Sequence, residues 1–204
     1  MTPSKEMTQG QIDKAVANYR ALLEKHSGKF DAVAVQQALG QSELADEQFA
    51  VLRRRVEMMS NLIVRRTKVD RRRSSQAALD ATGRKQYTAD EVVNGMPVGD
   101  GDEVDVVFFK SEKWEYTRPG FMSDDDFEKA LARRGLMSDL RAVIAANEDD
   151  PEFADNHPNG AHSRDAEGKW CFVAFNRWGG ERDVGVNRND YGWYGNWWFA
   201  GVRK

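Results

Sequence analysis

The sequence is poor in cysteine and in long apolar runs. Its one cysteine, Cys171, cannot form a disulfide within the chain, which fits a reducing compartment or a secreted fold that needs no cross-link. No apolar run approaches the ~20 residues of a membrane-spanning helix, and the first residues lack the apolar segment of a signal peptide. We therefore expect a cytoplasmic protein, with assembly into a virion or at a cell surface left open.

The sequence also has no large excess of positive or negative charge, and it lacks nucleotide-binding motifs. Lys and Arg number 30 against 33 Asp and Glu, a net charge of −3 over 204 residues, and this balance does not indicate a polyanionic partner. No Gly-Lys-Ser/Thr phosphate loop or dinucleotide-binding fingerprint occurs. The sequence thus offers no motif for a cofactor, and we expect no catalytic residues, no metal and no cofactor.

Helical periodicity dominates the first part of the chain. A first helix is predicted from Gln11 to residues 26–28, and residues 30–39 are predicted to form a second helix or a short strand. A third and longest helix is predicted from Glu43 to about Lys68. Its apolar residues have the 3, 4 spacing of a coiled-coil seam: Phe49, Leu52, Val56, Met59 and Ile63. Burial within a helical hairpin of the chain and self-association into a homo-oligomer are the two interpretations.

A dense basic stripe overlaps this helix. It comprises Arg53, Arg54, Arg55, Arg65, Arg66, Lys68, Arg71, Arg72 and Arg73. Such a stripe is typical of nucleic-acid binding, but no aromatic residue is interleaved to stack on bases, and the whole chain is acidic. We favour a solvated face. The alternative is a nucleic-acid-associated or phage-encoded regulatory protein that uses the stripe Arg53–Arg73.

The second half of the chain is predicted to mix strands and helices. Pro97, Gly99 and Gly101 mark a boundary, so we divide the chain into a helical N-terminal region with a connector, residues 1–100, and a second domain, residues 101–204. The elements predicted there are a strand over 104–109, helices over 124–134 and 139–147, a long polar loop over 148–168 and a strand from Trp170.

The segment 170–200 interleaves two populations of residues. Five of the six tryptophans lie in it, so it must supply much of a core. Within Arg182–Arg188 the alternation predicts that Val184 and Val186 are buried, whereas Asp183, Gly185 and Asn187 face solvent. Asn, Asp and Gly also mark turns, so a plain β tail is one interpretation. A composition typical of binding loops favours a ligand-binding surface instead.

The order strand, helix, helix, long loop and tryptophan-rich strands resembles the C-type-lectin-type fold, whose two ends pair in one sheet beside two helices. With its Asn, Asp, Gly and Tyr residues scattered between tryptophans, the segment is similar to variable proteins of diversity-generating retroelements. In that family a reverse transcriptase copies a template with errors at adenines, so that Asn codons are diversified. The resemblance covers about the last hundred residues.

The resemblance implies a ligand-binding face and a fixed scaffold. The implied variable positions are Asn176, Gly179, Gly180, Asp183, Gly185, Asn187, Asn189, Tyr191, Gly192, Tyr194, Gly195 and Asn196. The implied scaffold is Trp178, Val184, Val186, Trp193, Trp198, Phe199 and Val202. We therefore expect an α+β protein in which an N-terminal helical region precedes a C-type-lectin-like domain with a small mixed or antiparallel sheet and two helices. Its partner would be an unknown protein or other macromolecule.

Two departures limit the implied chemistry. The Glu-Pro-Asn, Gln-Pro-Asp and Trp-Asn-Asp tripeptides of calcium-dependent sugar-binding members are absent, so we do not expect sugar binding through calcium. His157 and His162, in the carboxylate-rich loop, are the best candidates for a metal site or for an unrecognised enzyme, but their spacing matches no metal motif. Cys171 is predicted to be a small core residue.

Overall fold

Short polar side chains determine where five helices begin in the computed structural model, which describes residues 7–203. Each of these side chains accepts a hydrogen bond from the backbone N–H three residues further along, as helix N-caps do. They are Thr8, Asp31, Ser74, Ser123 and Asp139. The chain divides into two units after Met58.

The first unit is helical. It contains α1 (Gln9–His26), a 3₁₀ turn (Ser27–Lys29), α2 (Ala32–Leu39) and α3 (Glu43–Glu57). The first helix is confirmed, and the second segment forms a helix rather than a strand. The prediction that the third helix continues to about Lys68 is wrong.

Strand β1 (Leu62–Lys68) replaces the second half of that predicted helix. It pairs antiparallel with β3 (Glu103–Phe109), so that Ile63 lies opposite Phe108 and its side chain is buried. Because strand pairing satisfies the backbone polar groups of 62–68 through a strand far along the chain, no local pattern reveals it. Ile63 therefore belongs to the sheet core and not to a helical seam.

The second unit has an α+β fold. Between β1 and β3 lie α4 (Ser75–Ala81), β2 (Lys85–Thr88) and α5 (Asp90–Asn94). After β3 come a 3₁₀ turn (Lys113–Glu115), β4 (Phe121–Met122), α6 (Asp124–Arg133), β5 (Leu136–Met137), α7 (Leu140–Asp149) and α8 (Phe153–Asn156). The remaining strands are β6 (Asn159–Arg164), β7 (Trp170–Trp178), β8 (Glu181–Arg188), β9 (Trp193–Tyr194) and β10 (Trp198–Arg203).

The main sheet has the strand order β1-β3-β10-β6-β7-β8-β2, with β5 attached to β10. Most neighbours are antiparallel, but β10 is parallel to β6 and β2 is parallel to β8. A separate two-stranded sheet joins β4 to β9. Strands β1 and β2, both from before residue 101, occupy the two edges of the main sheet, so the domain boundary lies well before the one predicted at residue 100.

Apolar residues pack on both sides of the sheet. On one side, called the α7 side, helices α4, α5, α7 and α8 cover residues such as Val106, Val173 and Val186. On the other, the α6 side, helix α6 and the β4–β9 pair cover residues such as Phe109 and Phe199. Because both sides of the sheet are covered, the sequence of β3 is a nearly continuous apolar run.

The prediction of a long polar loop over residues 148–168 is also wrong. It contains the end of α7, the short helix α8 and strand β6, which lies between β10 and β7. Phe153 and Ala161 are buried in the core. His157 and His162 are buried as well, so neither histidine lies in an exposed polar loop, where the sequence made it a candidate for a metal site or an active site.

Candidate functional site

Strand β8 carries the predicted alternation. Val184 and Val186 are fully buried on the α7 side, as predicted. The residues between and after them project to the α6 side, where Gly185 is half-buried and Asn187 is exposed. This end of β8 thus separates a packed side from a side that faces solvent.

Asp183 contradicts the prediction, because it is 9% exposed and therefore buried. β8 is not an edge strand: β2 pairs with it on one flank, placing Lys85 opposite Asp183, and β7 pairs on the other, placing Asn176 opposite. Among the described residues the Asp183 Oδ1 atom has no hydrogen-bond partner. Asp183 is part of the packed sheet rather than a freely exposed position.

The turn between β7 and β8 lies at the opposite end of β8 from the predicted positions 187–196. Gly179 and Gly180 have positive φ angles of 59° and 93°, and a Cβ at either position would meet no atom within 4 Å. Trp178, assigned to the scaffold, is 78% exposed here, so that assignment is wrong. Seven residues of β8 separate this turn from Arg188, about 23 Å at the usual rise of a strand.

Two members of the predicted variable set have fixed structural roles in the loop after β8. The Asn189 side chain accepts a hydrogen bond from the backbone N–H of Gly192 (3.1 Å) and donates one to Asp124 (2.8 Å). Gly192 has a φ of 69°, and a Cβ there would lie 2.7 Å from the Met122 carbonyl oxygen. Neither position accepts an arbitrary side chain.

Exposed and buried aromatic residues alternate in the same loop. The Trp193 indole packs directly on Gly160, where a Cβ would lie 2.6 Å from the ring, and Trp193 is buried. Tyr191 is 82% exposed and Tyr194 is 63% exposed. Asn196 is exposed as well. The loop is therefore held by one tryptophan and presents two tyrosines.

A buried carboxylate ties this loop to helix α6. Asp124 Oδ1 accepts a hydrogen bond from Trp193 Nε1 (2.8 Å) and lies 2.8 Å from His162 Nδ1, while Oδ2 accepts from Asn189 Nδ2. Asp124 occupies the first turn of α6, where the helix dipole favours negative charge. The Asp124 network, as we call these four residues, fixes the position of residues 189–193.

His162 has the surroundings of a packed core residue. It is fully buried, and its ring stacks between Phe127 (4.0 Å between centroids) and Trp170 (4.4 Å). Its Nε2 atom lies 3.2 Å from a Glu128 carboxylate oxygen. His157, likewise, stacks on Phe153 at 4.8 Å. These contacts give both histidines structural roles.

No sequence pattern predicts the Asp124 network. From the sequence, Asp124 is only an acid that favours the start of α6, and the prediction that Asn189 is an exposed variable position is wrong. The four residues are separated by up to 69 positions along the chain, and no local spacing links them. Only the preference of buried Trp N–H and His groups for an acceptor points to such a partner.

Cys171 is a buried core residue, as predicted. Burial raises the pKa of its thiol, and the nearby Asp165 carboxylate raises it further, so the nucleophilic thiolate is disfavoured at neutral pH. A cavity of about 210 Å³ adjoins it, lined also by Met96, Leu140 and the ion pair of Asp165 with Arg188 (3.2 Å). This volume is below the range of typical small-molecule sites.

The basic stripe is divided between the two units. Arg53, Arg54 and Arg55 lie on α3 in the first unit, whereas the others lie on β1 and the loop after it. Five of those in the second unit form ion pairs with carboxylates: Arg65 with Asp150, Arg66 with Glu103, Arg71 with Asp139, Arg72 with Asp70 and Arg73 with Glu148. The Arg71 pair is bidentate and partly buried. Most of the positive charge of these residues is therefore neutralised by carboxylates of the second unit.

No family model, curated protein or solved structure matches the chain. Within residues 7–203, no group of three or more His, Cys, Asp and Glu side chains is placed to hold a metal ion. In the same part of the chain, no helix combines the length and apolar character that a membrane crossing requires. The candidate functional surface is the exposed part of the second unit formed by the α6 side of β8 and by residues 191–196.

Proposed function

We propose that this protein is a non-enzymatic binding protein whose binding face comprises the α6 side of β8 and residues 191–196. The observation that carries the proposal is a contrast within one segment. Trp193 and Trp198 are buried, whereas Tyr191 and Tyr194 project from the same short stretch into solvent. Packing fixes the first group and leaves the second available for a ligand.

The chemistry of the exposed residues favours a macromolecular ligand. Tyrosine supplies a large, rigid contact area at low entropy cost, and asparagine supplies adaptable hydrogen bonds. The face is open, and the Cys171 cavity lies on the α7 side of the sheet. A broad, open, aromatic-rich face suits the surface of another macromolecule better than a small molecule, which needs a concave site.

The proposal extends to the fold of residues 101–204, which we assign to the C-type-lectin type. Its support is the antiparallel pairing of β3 with β10, from the two ends of this region, with Phe109 opposite Phe199. Helices α6 and α7 pack on opposite sides of that sheet. Strands β1 and β2 are additions at its edges.

We also propose that a retroelement diversifies this face. The geometry favours fewer variable positions than the resemblance implies. The positions that remain are exposed or half-buried, and a Cβ at Gly185 or Gly195 would make only ordinary contacts of 3.4 Å or more; they are Asn176, Gly185, Asn187, Tyr191, Tyr194, Gly195 and Asn196. Asp183, Asn189 and Gly192 have packing or hydrogen-bonding roles that most side chains cannot fill. Gly179 and Gly180 need positive φ angles at a separate turn.

The deciding experiment is to sequence the DNA around the coding region and the codons for residues 170–200 in many individuals of the source population. We expect a near-copy of this segment that differs mainly at adenines, beside a reverse-transcriptase gene. Codons for Asn187, Tyr191 and Tyr194 should vary, while those for Trp193 and Trp198 stay constant. Equal variation in both groups, or no template copy, would contradict diversification.

A second experiment tests binding without reference to diversification. Libraries that randomise Asn187, Tyr191, Tyr194 and Asn196 would be displayed and selected against a panel of folded proteins. The matched control library randomises exposed residues away from this face, on helices α4 and α5: Gln76, Asp80, Asp90 and Glu91. Enrichment of binders from the first library alone is the expected result. Equal enrichment from both would show that the face has no special capacity to bind.

A further inference from the structure

The first unit exposes its apolar residues. Over the described residues 7–58 no residue is buried, although the helices carry many large apolar side chains. On α1 these are Ile12, Val16, Tyr19, Leu22 and Leu23, and on α3 they are Phe49, Val51, Leu52 and Val56. Of the two interpretations of the Phe49–Ile63 seam, burial within the chain is therefore wrong for its helical part, whereas burial between chains stays a prediction.

A helix that buries none of its side chains is only marginally stable in water. Helix α3 has 15 residues, close to the length at which isolated helices only begin to form, and most helices in proteins depend on packing of an apolar face. The exposed apolar side chains of the first unit together present on the order of 1,000 Å² or more, comparable with the ~800 Å² that each partner contributes to a standard protein interface. Exposed apolar area of this size is typical of a surface that a protein partner covers.

The seam of α3 has coiled-coil geometry. Phe49, Leu52 and Val56 are spaced 3 and 4 apart, which corresponds to alternate a and d positions of a heptad. In that register Asp46 and Arg53 both occupy e positions, directly beside the seam. Their charges therefore border whatever helix covers it.

The charge of α3 is split between its two ends. Glu43, Asp46 and Glu47 lie in the N-terminal half, and Arg53, Arg54 and Arg55 lie in the C-terminal half. In an antiparallel pair of such helices the e positions of the two copies meet, so that Asp46 of each copy lies beside Arg53 of the other. A parallel pair instead places the three arginines of both copies at the same level, where they repel each other.

We propose that two copies of the chain associate through α3, antiparallel and about a two-fold axis. The interface is isologous, since the same residues are used by both copies. Phe49, Leu52 and Val56 form its apolar centre, and two symmetric pairs of Asp46 with Arg53 flank it. Arg53 also lies 3.9 Å from Glu57 of its own chain. The dimer presents two binding faces and does not depend on what those faces bind.

The first test measures mass by sedimentation equilibrium of the full chain from about 1 to 100 μM, the range in which an interface of standard size associates. The expected species has twice the 23.1 kDa of one chain. Leu52→Glu should give a monomer, whereas Val51→Glu, the same acidic change at the neighbouring residue outside the seam, should leave the dimer. Both residues are exposed in the single chain, so equal effects of the two substitutions would overturn the proposed interface.

The second test fixes the orientation. Asp46→Arg and Arg53→Asp, each alone, create two like-charge contacts in the antiparallel dimer and should weaken association about ten-fold. The double variant restores both pairs with reversed signs and should recover most of the loss, with the far-UV circular dichroism spectrum checked for constant helix content. Single variants that bind as tightly as wild type, or a double variant weaker than both singles, would refute the antiparallel arrangement. A wild-type chain that stays monomeric at the highest concentration would refute the dimer.

Discussion

Replacing Asp124 by alanine tests whether a buried carboxylate holds the binding loop in place. The substitution removes the acceptor of Trp193 Nε1 and Asn189 Nδ2 and the partner of His162 Nδ1. Most of these groups are then left in the interior, where water does not replace the lost bonds. The structure therefore predicts a loss far larger than that of an ordinary surface acid.

The magnitude follows from the contacts. A hydrogen bond to a charged group contributes about 1.5–3 kcal/mol, and an orphaned buried donor costs a similar amount. The bonds share one carboxylate and are not additive, so we expect a total loss of ~3–5 kcal/mol in the free energy of unfolding. Urea denaturation followed by tryptophan fluorescence measures it, since Trp193 and Trp170 both lie at the site.

Asp125→Ala is the matched control. Asp125 is the next residue in the same helical turn, so the two variants lose the same favourable term with the helix dipole. Its side chain is exposed, and its pair with Arg164 spans 3.2 Å at the surface, so we expect a loss below about 1 kcal/mol. If Asp124→Ala is no more destabilising than Asp125→Ala, the network does not hold the loop.

Three further outcomes follow from the same geometry. Replacing the exposed positions together by serine should change the melting temperature by only a few degrees, whereas Trp198→Ala should cost ~3–5 kcal/mol of stability; the replaced set is Asn187, Tyr191, Tyr194 and Asn196. Gly192→Ala should destabilise more than Gly179→Ala, because both have positive φ angles but only Gly192 abuts Phe121 and Met122; equal losses in thermal melts would show that the backbone angle alone decides. Hydrogen bonds from Lys129 and Thr117 lower the pKa of Asp126 to about 2, so the ionised carboxylate stabilises the fold above its unfolded pKa of about 3.9. That contribution is lost as the pH falls toward the folded-state pKa, and the gap in melting temperature between wild type and Asp126→Asn should narrow over this range rather than stay constant.

Local signals predicted the elements whose causes are local. Ser123 with its acidic first turn located α6, and the alternation around Val184 and Val186 located β8 and identified its buried side. The strand β3 was recognisable because its apolar, β-branched run is covered on both sides of the sheet. In each case the decisive residues are close neighbours in the sequence.

The failures have non-local causes. The 3, 4 spacing from Phe49 continues through Met59 to Ile63, so nothing in the pattern shows that the helix ends at Glu57 and that Ile63 enters a strand. Asp183 is buried because β2, from much earlier in the chain, adds itself beyond β8. Trp178 is exposed because the chain turns directly after it. Neither the spacing of apolar residues nor the type of a residue predicts which distant strand will pair with a given strand.

The position of β10 determines when the fold can be completed. This strand, made last of those described, lies between β3 and β6 and joins two halves of the sheet that have no other strand pairing between them. During synthesis β1 and β3 can pair early, but β3 keeps an open edge until β10 emerges, long after it. Such late, long-range closure is slow and leaves strand edges available for aggregation. In the cell, the assembly of this sheet therefore waits for the synthesis of its central strand.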